Sequence, residues 1–259
     1  MAETRGPGHA TALADEAARA GVPLVVAVGG DGTLNEVVNG VTPLRESHPA
    51  TVGAVMTGRG RDACRNLGLL RDPHRAVRRL AEGHVVSRDL GLAAWPGGRR
   101  FFIAAVGVGF DALVVRRAGT AGGRLRYPAA VLASLRDYRP SQAVVDGPAG
   151  ESWTGAAASV LVCNGSHLGG GMRIAPAARV DDGLLDVVVL GGLGRAELAL
   201  WLPTVFWGGH LANRKVRSWR APAFRVDMPG ASSLHLDGEL AGGLPIEITA
   251  QAGALRLLV

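Results

Sequence analysis

The sequence predicts a two-part chain, an α/β segment built on a parallel sheet followed by an antiparallel β-sandwich. Three observations predict it. Two short apolar, β-branched runs, Pro23–Val28 and Thr51–Met56, each lead into a glycine-rich turn and then a helical pattern, as buried strands of a parallel sheet do. From about Val85 the texture changes to short apolar runs separated by glycine and proline, the spacing of antiparallel strands. The 259 residues, 47% of them hydrophobic, suffice to bury one large or two modest cores and argue against disorder.

The elements follow in order. After a polar, glycine-containing start, an alanine-rich helix is expected from about Thr11 to Ala20, with Gly21 able to end it. The strand Pro23–Val28 is expected to be buried. It meets Gly29-Gly30-Asp31-Gly32-Thr33 and then a helix with Leu34, Val37, Val38 and Val41 on one face and Asn35, Glu36 and Asn39 on another. Thr33 and Glu36 have the spacing of a capping box, which makes Thr33 the expected N-cap. The strand Thr51–Met56 delivers a second glycine-rich turn, Thr57 to Asp62, ahead of another helical segment. Arg71 to Ala81 reads as a basic amphipathic helix ended by Gly83. Expected strands are Phe101–Val106, Val144–Val145, Ser159–Val162, Leu184–Leu190, Phe224–Val226, Ser233–Leu236 and Ile246–Ile248. Among them lie a helix from Pro128 to Tyr138 and another from Arg195 towards Trp207, interrupted at Pro203.

Lysine and arginine number 28 against 22 acids, a net charge of +6 that favours anionic partners such as nucleotide phosphates or acidic lipid surfaces. Aromatics are only 5% and the arginines are scattered, so nucleic acid is not expected. Cys64 and Cys163 lie far apart without metal-ligand spacing and read as buried small residues. No signal segment opens the chain, and its apolar runs break well short of the ~20 residues of a spanning helix, so a cytoplasmic protein is expected.

Glycines at 29, 30 and 32 permit a sharp turn and close approach of a ligand, and the following helix offers unpaired N–H groups to an anion. The stretch reads either as a phosphate cradle or as a tight turn with Asp31 solvated. Within a cradle, Asp31 would repel phosphate unless a Mg²⁺ ion or a proton-accepting role explains it. Two such turns at the carboxyl ends of neighbouring parallel strands make the ligand crevice of an open α/β sheet. Arg59 and Arg61 in the second turn either fork onto a polyphosphate or fill the pocket. Asp181 and Asp182 precede a strand, either as an ordinary Asp-Gly turn or as closely spaced oxygens for a hard cation. Asp237-Gly238-Glu239 is by itself a strong hairpin-turn signal.

The run from Gly29 to Gly40 resembles the nucleotide-binding signature of the diacylglycerol kinase catalytic family, which includes bacterial lipid kinases and sphingosine kinases. Three later stretches resemble that family in the same order: Gly107-Val108-Gly109-Phe110-Asp111-Ala112, Gly169 to Pro176 followed by Asp181 to Asp186, and His235-Leu236-Asp237-Gly238-Glu239. NAD kinases share a similar glycine core, but the Gly107–Ala112 and Gly169–Asp186 stretches are not expected in them. Thr4, Gly8, His9 and Ala10 resemble a stretch that follows the family's first strand and helix, so the chain reads as starting one strand and one helix late. Gly58 and Asp62 keep part of the family's Gly-Thr-x-Asn-Asp, with Arg59 and Arg61 where threonine and asparagine are expected.

The resemblance implies a truncated Rossmann-like nucleotide-binding domain over residues 1–86, rejoined by 250–259, and a β-sandwich lipid-binding and catalytic domain over 87–249. It implies transfer of the γ-phosphate of ATP, with Mg²⁺, to a hydroxyl of a diacylglycerol-like or sphingoid lipid. Gly29, Gly30, Asp31, Gly32, Thr33, Asn35, Gly58, Arg59 and Asp62 would hold the nucleotide. Glu239 would accept the proton, with Asp31 near the nucleotide and its magnesium. Asp182 and the Leu184 carbonyl, beside Asp181, would hold a structural magnesium, although Arg179 stands where a further carboxylate is expected. Leu198, Trp201, Leu202, Val205, Phe206 and Trp207 would either line the lipid site or face the inner membrane surface, with Arg214, Lys215, Arg217 and Arg220 attracting headgroups, or pack in the core beside a solvated basic segment. The alternatives are a non-catalytic lipid-binding relative or a soluble NAD-kinase-like enzyme. A sheet edge left open by the absent strand would suit a homodimer.

Overall fold

A computed structural model describes residues 1–42, 50–58, 60–119, 126–231 and 233–259. Helix α1 (His9–Arg19) packs on α2 (Asp31–Val41) at Gly40, where a Cβ would stand 2.4 Å from the Thr11 carbonyl oxygen. The expected capping box does not form. Instead α2 begins at Asp31 with Gly30 as its N-cap, and Glu36 turns to the other helix, accepting from the N–H groups of Gly8 (2.9 Å) and Ala10 (3.0 Å). Glu36 therefore satisfies the open amides of α1, which starts two residues earlier than its alanine pattern suggests.

Strands β1 (Leu24–Gly29) and β2 (Thr51–Met56) pair in parallel. All of β2 is buried, whereas in β1 Val26 and Val28 are exposed, Val28 by 61%. The expectation of a buried first strand is thus corrected: β1 is the edge of the sheet, and α1 and α2 cover only its Ala27 face. Two helices follow, α3 (Asp62–Leu67) and α4 (Pro73–Glu82). Asp72 caps α4 by accepting from the His74 and Arg75 amides, and Leu80 packs over Gly53 of β2.

The remainder is built from β3 (Val85–Trp95), β4 (Gly98–Phe102), β5 (Ala105–Gly109), α5 (Phe110–Ala118), α6 (Arg126–Asp137), β6 (Ser141–Asp146), β7 (Ser152–Cys163) and β8 (Leu185–Gly191). Helix α7 (Arg195–Trp201) runs into 3₁₀ turns at Leu202–Phe206, where Pro203 sits as expected, and Gly209–Ala212. Strands β9 (Val216–Ala221), β10 (Ala223–Asp227), β11 (Leu234–Leu236), β12 (Glu239–Ala241) and β13 (Ile246–Leu258) complete it.

Two long strands join the layers. The start of β7 pairs with β6 and its end pairs with β5 and β8. Strand β13 runs against β3 for most of its length, pairs antiparallel with β10 at Ile246–Thr249, and meets β2 in parallel at Leu257–Val52. The register with β3 breaks between Gln251 and Leu255, as it must where a strand turns from one sheet into another. The antiparallel strands enclose a sandwich core that includes Phe102, Val145, Val160, Val187 and Ile246, while Leu34, Val38, Val52, Met56 and Leu257 fill the core of the parallel part. Cys64 and Cys163 are free and buried.

Candidate active site

The first glycine turn is shaped by contacts that only glycine permits. A Cβ at Gly29 would lie 2.7 Å from Thr33 Oγ1, and one at Gly58 would lie 2.6 Å from the Gly30 Cα, so the two turns touch backbone to backbone. The first bond within α2 runs from Leu34 N–H to the Gly30 carbonyl, and the helix end directs its earlier amides out of the turn. Asp31 has a definite task here: its carboxylate accepts from the amides of Asp62 (3.2 Å) and Ala63 (3.3 Å), capping α3 in place of Arg61, which makes no side-chain cap. The solvated reading of Asp31 is thereby corrected.

Arg61 adopts a left-handed conformation, φ 54°, and its Nε donates to the Gly58 carbonyl (3.1 Å). Its guanidinium is folded onto the turn. Arg59 lies outside the described residues. Asp62 pairs with Arg65 (2.9 Å) and accepts from the Gly170 amide (2.6 Å), so the second turn is fastened to the glycine-rich loop at 169–171. Burial pushes the Asp62 carboxyl up, opposed by the Gly170 amide and reinforced by nearby Asp31. Asn66 secures the same junction, donating to the His167 carbonyl and accepting from its amide. Burial, with Arg173 and Arg65, pushes His167 down, an electropositive surrounding on that side of the cleft.

The turn at Asp237–Glu239 arrives opposite the first cradle. A Cβ at Gly32 would stand 3.2 Å from Glu239 Oε1, so a carboxylate from the sandwich overlooks the exposed start of α2. Glu239 Oε2 accepts from Arg100 (2.7 Å), and the same guanidinium donates to Asn35 Oδ1 (2.6 Å). Asn35, buried on α2, then donates to Asp237 Oδ2 (2.8 Å). Asp237 also accepts from the amides of Ile103 (2.7 Å), Ala104 (2.8 Å) and Ala105 (3.0 Å). Burial pushes its carboxyl up against the pull of these donors. Asn39 clasps the backbone of Phe101 through both its amide nitrogen (3.0 Å) and oxygen (2.9 Å). Arg100 carries no motif and was not singled out by the sequence; a charged residue just ahead of an apolar strand was its only trace.

Asp181, Asp182 and Leu184 lie in one loop whose carboxylates are engaged by protein donors. Asp181 pairs with Arg88 and Arg179, Asp182 pairs with Arg220, and Leu184 donates its amide to Asp182 (3.2 Å). Arg220 also reaches Asp186 (3.2 Å). Among the described residues no group of three histidine, cysteine or acidic side chains could hold a metal. Guanidinium groups thus supply the positive charge beside these carboxylates. Asp31 and Asp62 do offer hard oxygens at the cradle, where one or two carboxylates with phosphate oxygens suffice for Mg²⁺.

The apolar segment expected at the lipid site divides in two. Leu198 and Val205 are core residues and Trp201 and Leu202 are half-buried, whereas Phe206 (55%) and Trp207 (62%) are exposed together with Leu200, which was not among the expected residues, and Arg214, Lys215 and Arg217 follow on the surface. Lys215 is paired with Glu197 (2.6 Å), and Arg220 is held by Asp182 and Asp186. Among the described residues no helix is long and apolar enough to cross a membrane.

Residues 1–93 match the diacylglycerol kinase catalytic domain family, and residues 104–259 match the YegS C-terminal NAD kinase β-sandwich-like domain. A diacylglycerol kinase of Mycobacterium tuberculosis is 33% identical over 92% of this chain and 77% of that one. A diacylglycerol kinase of Bacillus subtilis is 31% identical over 93% and 78%. The crystal structure of a diacylglycerol kinase from Bacillus anthracis superposes with a TM-score of 0.73 at 21% identity, covering 98% of this chain and 82% of that one, a likeness of fold.

Proposed function

The chain belongs to the diacylglycerol kinase family, and we propose that it transfers the γ-phosphate of ATP to a hydroxyl of a diacylglycerol-like lipid, with Glu239 taking the hydroxyl proton. One observation carries this reading. The two motifs that phosphoryl transfer requires, an amide-rich cradle and a carboxylate base, come from opposite ends of the chain and meet at Gly32 and Glu239. The turns at 29–33 and 58–62 hold the phosphates through backbone amides, and Asp31 sets the distance between those turns by capping α3. Asp31 and Asp62 would hold Mg²⁺, whose chemistry when bound is to offset charge on the phosphates.

A lipid hydroxyl is a poor nucleophile near neutral pH, and a positioned base contributes about 10²–10⁴-fold. Glu239 is half-exposed and so can meet a substrate that enters from the surface. Arg100 holds it in place and sets a fixed positive charge beside the cradle. The exposed Leu200, Phe206 and Trp207, with basic Arg214, Lys215 and Arg217 nearby in the chain, would rest on an anionic lipid surface while the acceptor reaches the cleft.

The test is transfer of labelled γ-phosphate from ATP, with Mg²⁺, into diacylglycerol and into a sphingoid base in mixed micelles. Labelled diacylglycerol is expected, reduced about 10²–10⁴-fold by Glu239→Gln. Undiminished transfer by Glu239→Gln would overturn the assignment of the base, and label in the sphingoid base alone would overturn the lipid class.

A further inference from the structure

Below the Asp237–Glu239 turn runs a second polar chain that the reaction as described does not use. His235 on β11 is buried, 1% exposed, and lies opposite Gly107 of β5. The Gly238 amide donates to its Nδ1 (3.3 Å), which fixes the tautomer, and Nε2–H donates to Asp111 Oδ2 (2.9 Å). Ser159 Oγ donates to Asp111 Oδ1 (3.0 Å) and accepts from the Asp111 amide (3.2 Å), so the carboxylate is itself locked. A Cβ at Gly107 would fall 1.8 Å from Asp111 Oδ2 and 2.4 Å from His235 Nε2; only glycine leaves room for the pair.

We infer that His235 is a positioning residue for Glu239, acting through the Gly238 amide, with Asp111 and Ser159 setting the imidazole. The inference rests on the reading of Glu239 as the base. Asp237 and Gly238 both have positive φ, 50° and 85°, so the turn consists of two left-handed residues whose peptide planes need external anchors. The Asp237 side chain anchors the base of the turn, and His235 anchors the Gly238 amide, immediately before Glu239. Both ring nitrogens are engaged within the protein, so the ring acts on the turn and not on the reacting atoms. A misplacement of about 1 Å at a catalytic group costs about 10²-fold in rate.

Asparagine and glutamine separate the two ring nitrogens, because the asparagine oxygen can take the place of Nδ1 whereas glutamine reaches towards Nε2. In the micelle assay, with thermal melting of each variant as a check on folding, His235→Gln and His235→Leu are expected to lower kcat by about 10²-fold with KM for ATP changed by less than about threefold. His235→Asn should stay within about tenfold of the unaltered chain. A folded His235→Leu with unchanged kcat overturns the inference; where that variant does not fold, equal kcat for the asparagine and glutamine variants overturns it. Loss of transfer in Glu239→Gln with unaffected His235 variants refutes this inference and leaves the base in place, whereas transfer that survives Glu239→Gln refutes both.

Discussion

Replacing Asp237 by alanine removes the one acceptor that serves three consecutive backbone amides. Ile103, Ala104 and Ala105 are all buried, and their amides donate to Asp237 at 2.7–3.0 Å. Each buried donor left without a partner costs about 1–3 kcal/mol, so Asp237→Ala should lower stability by about 3–9 kcal/mol. The left-handed φ of 50° adds about 1 kcal/mol for alanine and little for asparagine. Asp237→Asn gives an intermediate case, because the two oxygens have different partners. Oδ1 serves Ala104 and Ala105, while Oδ2 serves Ile103 and the Asn35 side chain. An asparagine oxygen in the first place keeps two bonds, and its NH₂ faces two donors in the second. Asn35 cannot simply flip to accept, since its own oxygen is held by Arg100. The asparagine variant should therefore lose about 2–6 kcal/mol. Urea unfolding followed by fluorescence of the five tryptophans would measure both. A loss below about 1 kcal/mol for Asp237→Ala would refute the reasoning, since it would mean that the three amides find other acceptors at little cost.

Two further outcomes are expected. His210 is buried, its Nε2 donating to the Ile174 carbonyl (2.9 Å), and burial pushes its pKa below the ordinary 6.5. The unfolded chain then binds more protons below pH 6.5 than the folded one, so this histidine makes stability rise with pH through that window and fall on acidification. Replacement by glutamine, which can still donate to Ile174, should flatten the difference in melting temperature between about pH 7 and pH 5; an unchanged slope would count against it. Phe206→Ser with Trp207→Ser should leave folding stability within about 1 kcal/mol, since both side chains are exposed, yet weaken sedimentation with anionic vesicles at least about tenfold. Equal sedimentation of the altered and unaltered chains would remove that patch from the membrane reading.

The parallel and antiparallel halves were legible because their patterns are local: apolar runs of fixed length bounded by glycine. The strands at 85–95, 216–221 and 239–241 carry no such signal, because they mix arginine, serine and glutamate with apolar residues. The Thr33–Glu36 spacing misled for a related reason. A capping box is a local arrangement, and here a tertiary partner, the open end of α1, took the glutamate. At the site, glycines and acids announced themselves by motif, but their division of labour did not. Asn35 and Asn39 looked like the polar face of a helix, yet their one-turn spacing is what lets them hold Arg100, Asp237 and the Phe101 backbone on the same side. Arg100 could be placed only by the fold, and the arginines around Asp181 and Asp182 come from three separate points of the chain.

The path of β13 bears on how the protein comes to exist at all. Leu257 pairs beside Val52, so the small parallel sheet that carries both glycine turns lacks one of its strands until a segment about two hundred residues beyond β2 has been made. During synthesis β2 would emerge early, apolar on both faces and with an open edge, and wait for a partner some two hundred residues away. Closure at such separation is slow, and an exposed strand edge is a site for wrong pairing in the meantime. The parallel sheet beneath the nucleotide cradle is therefore complete only after β13 has been made.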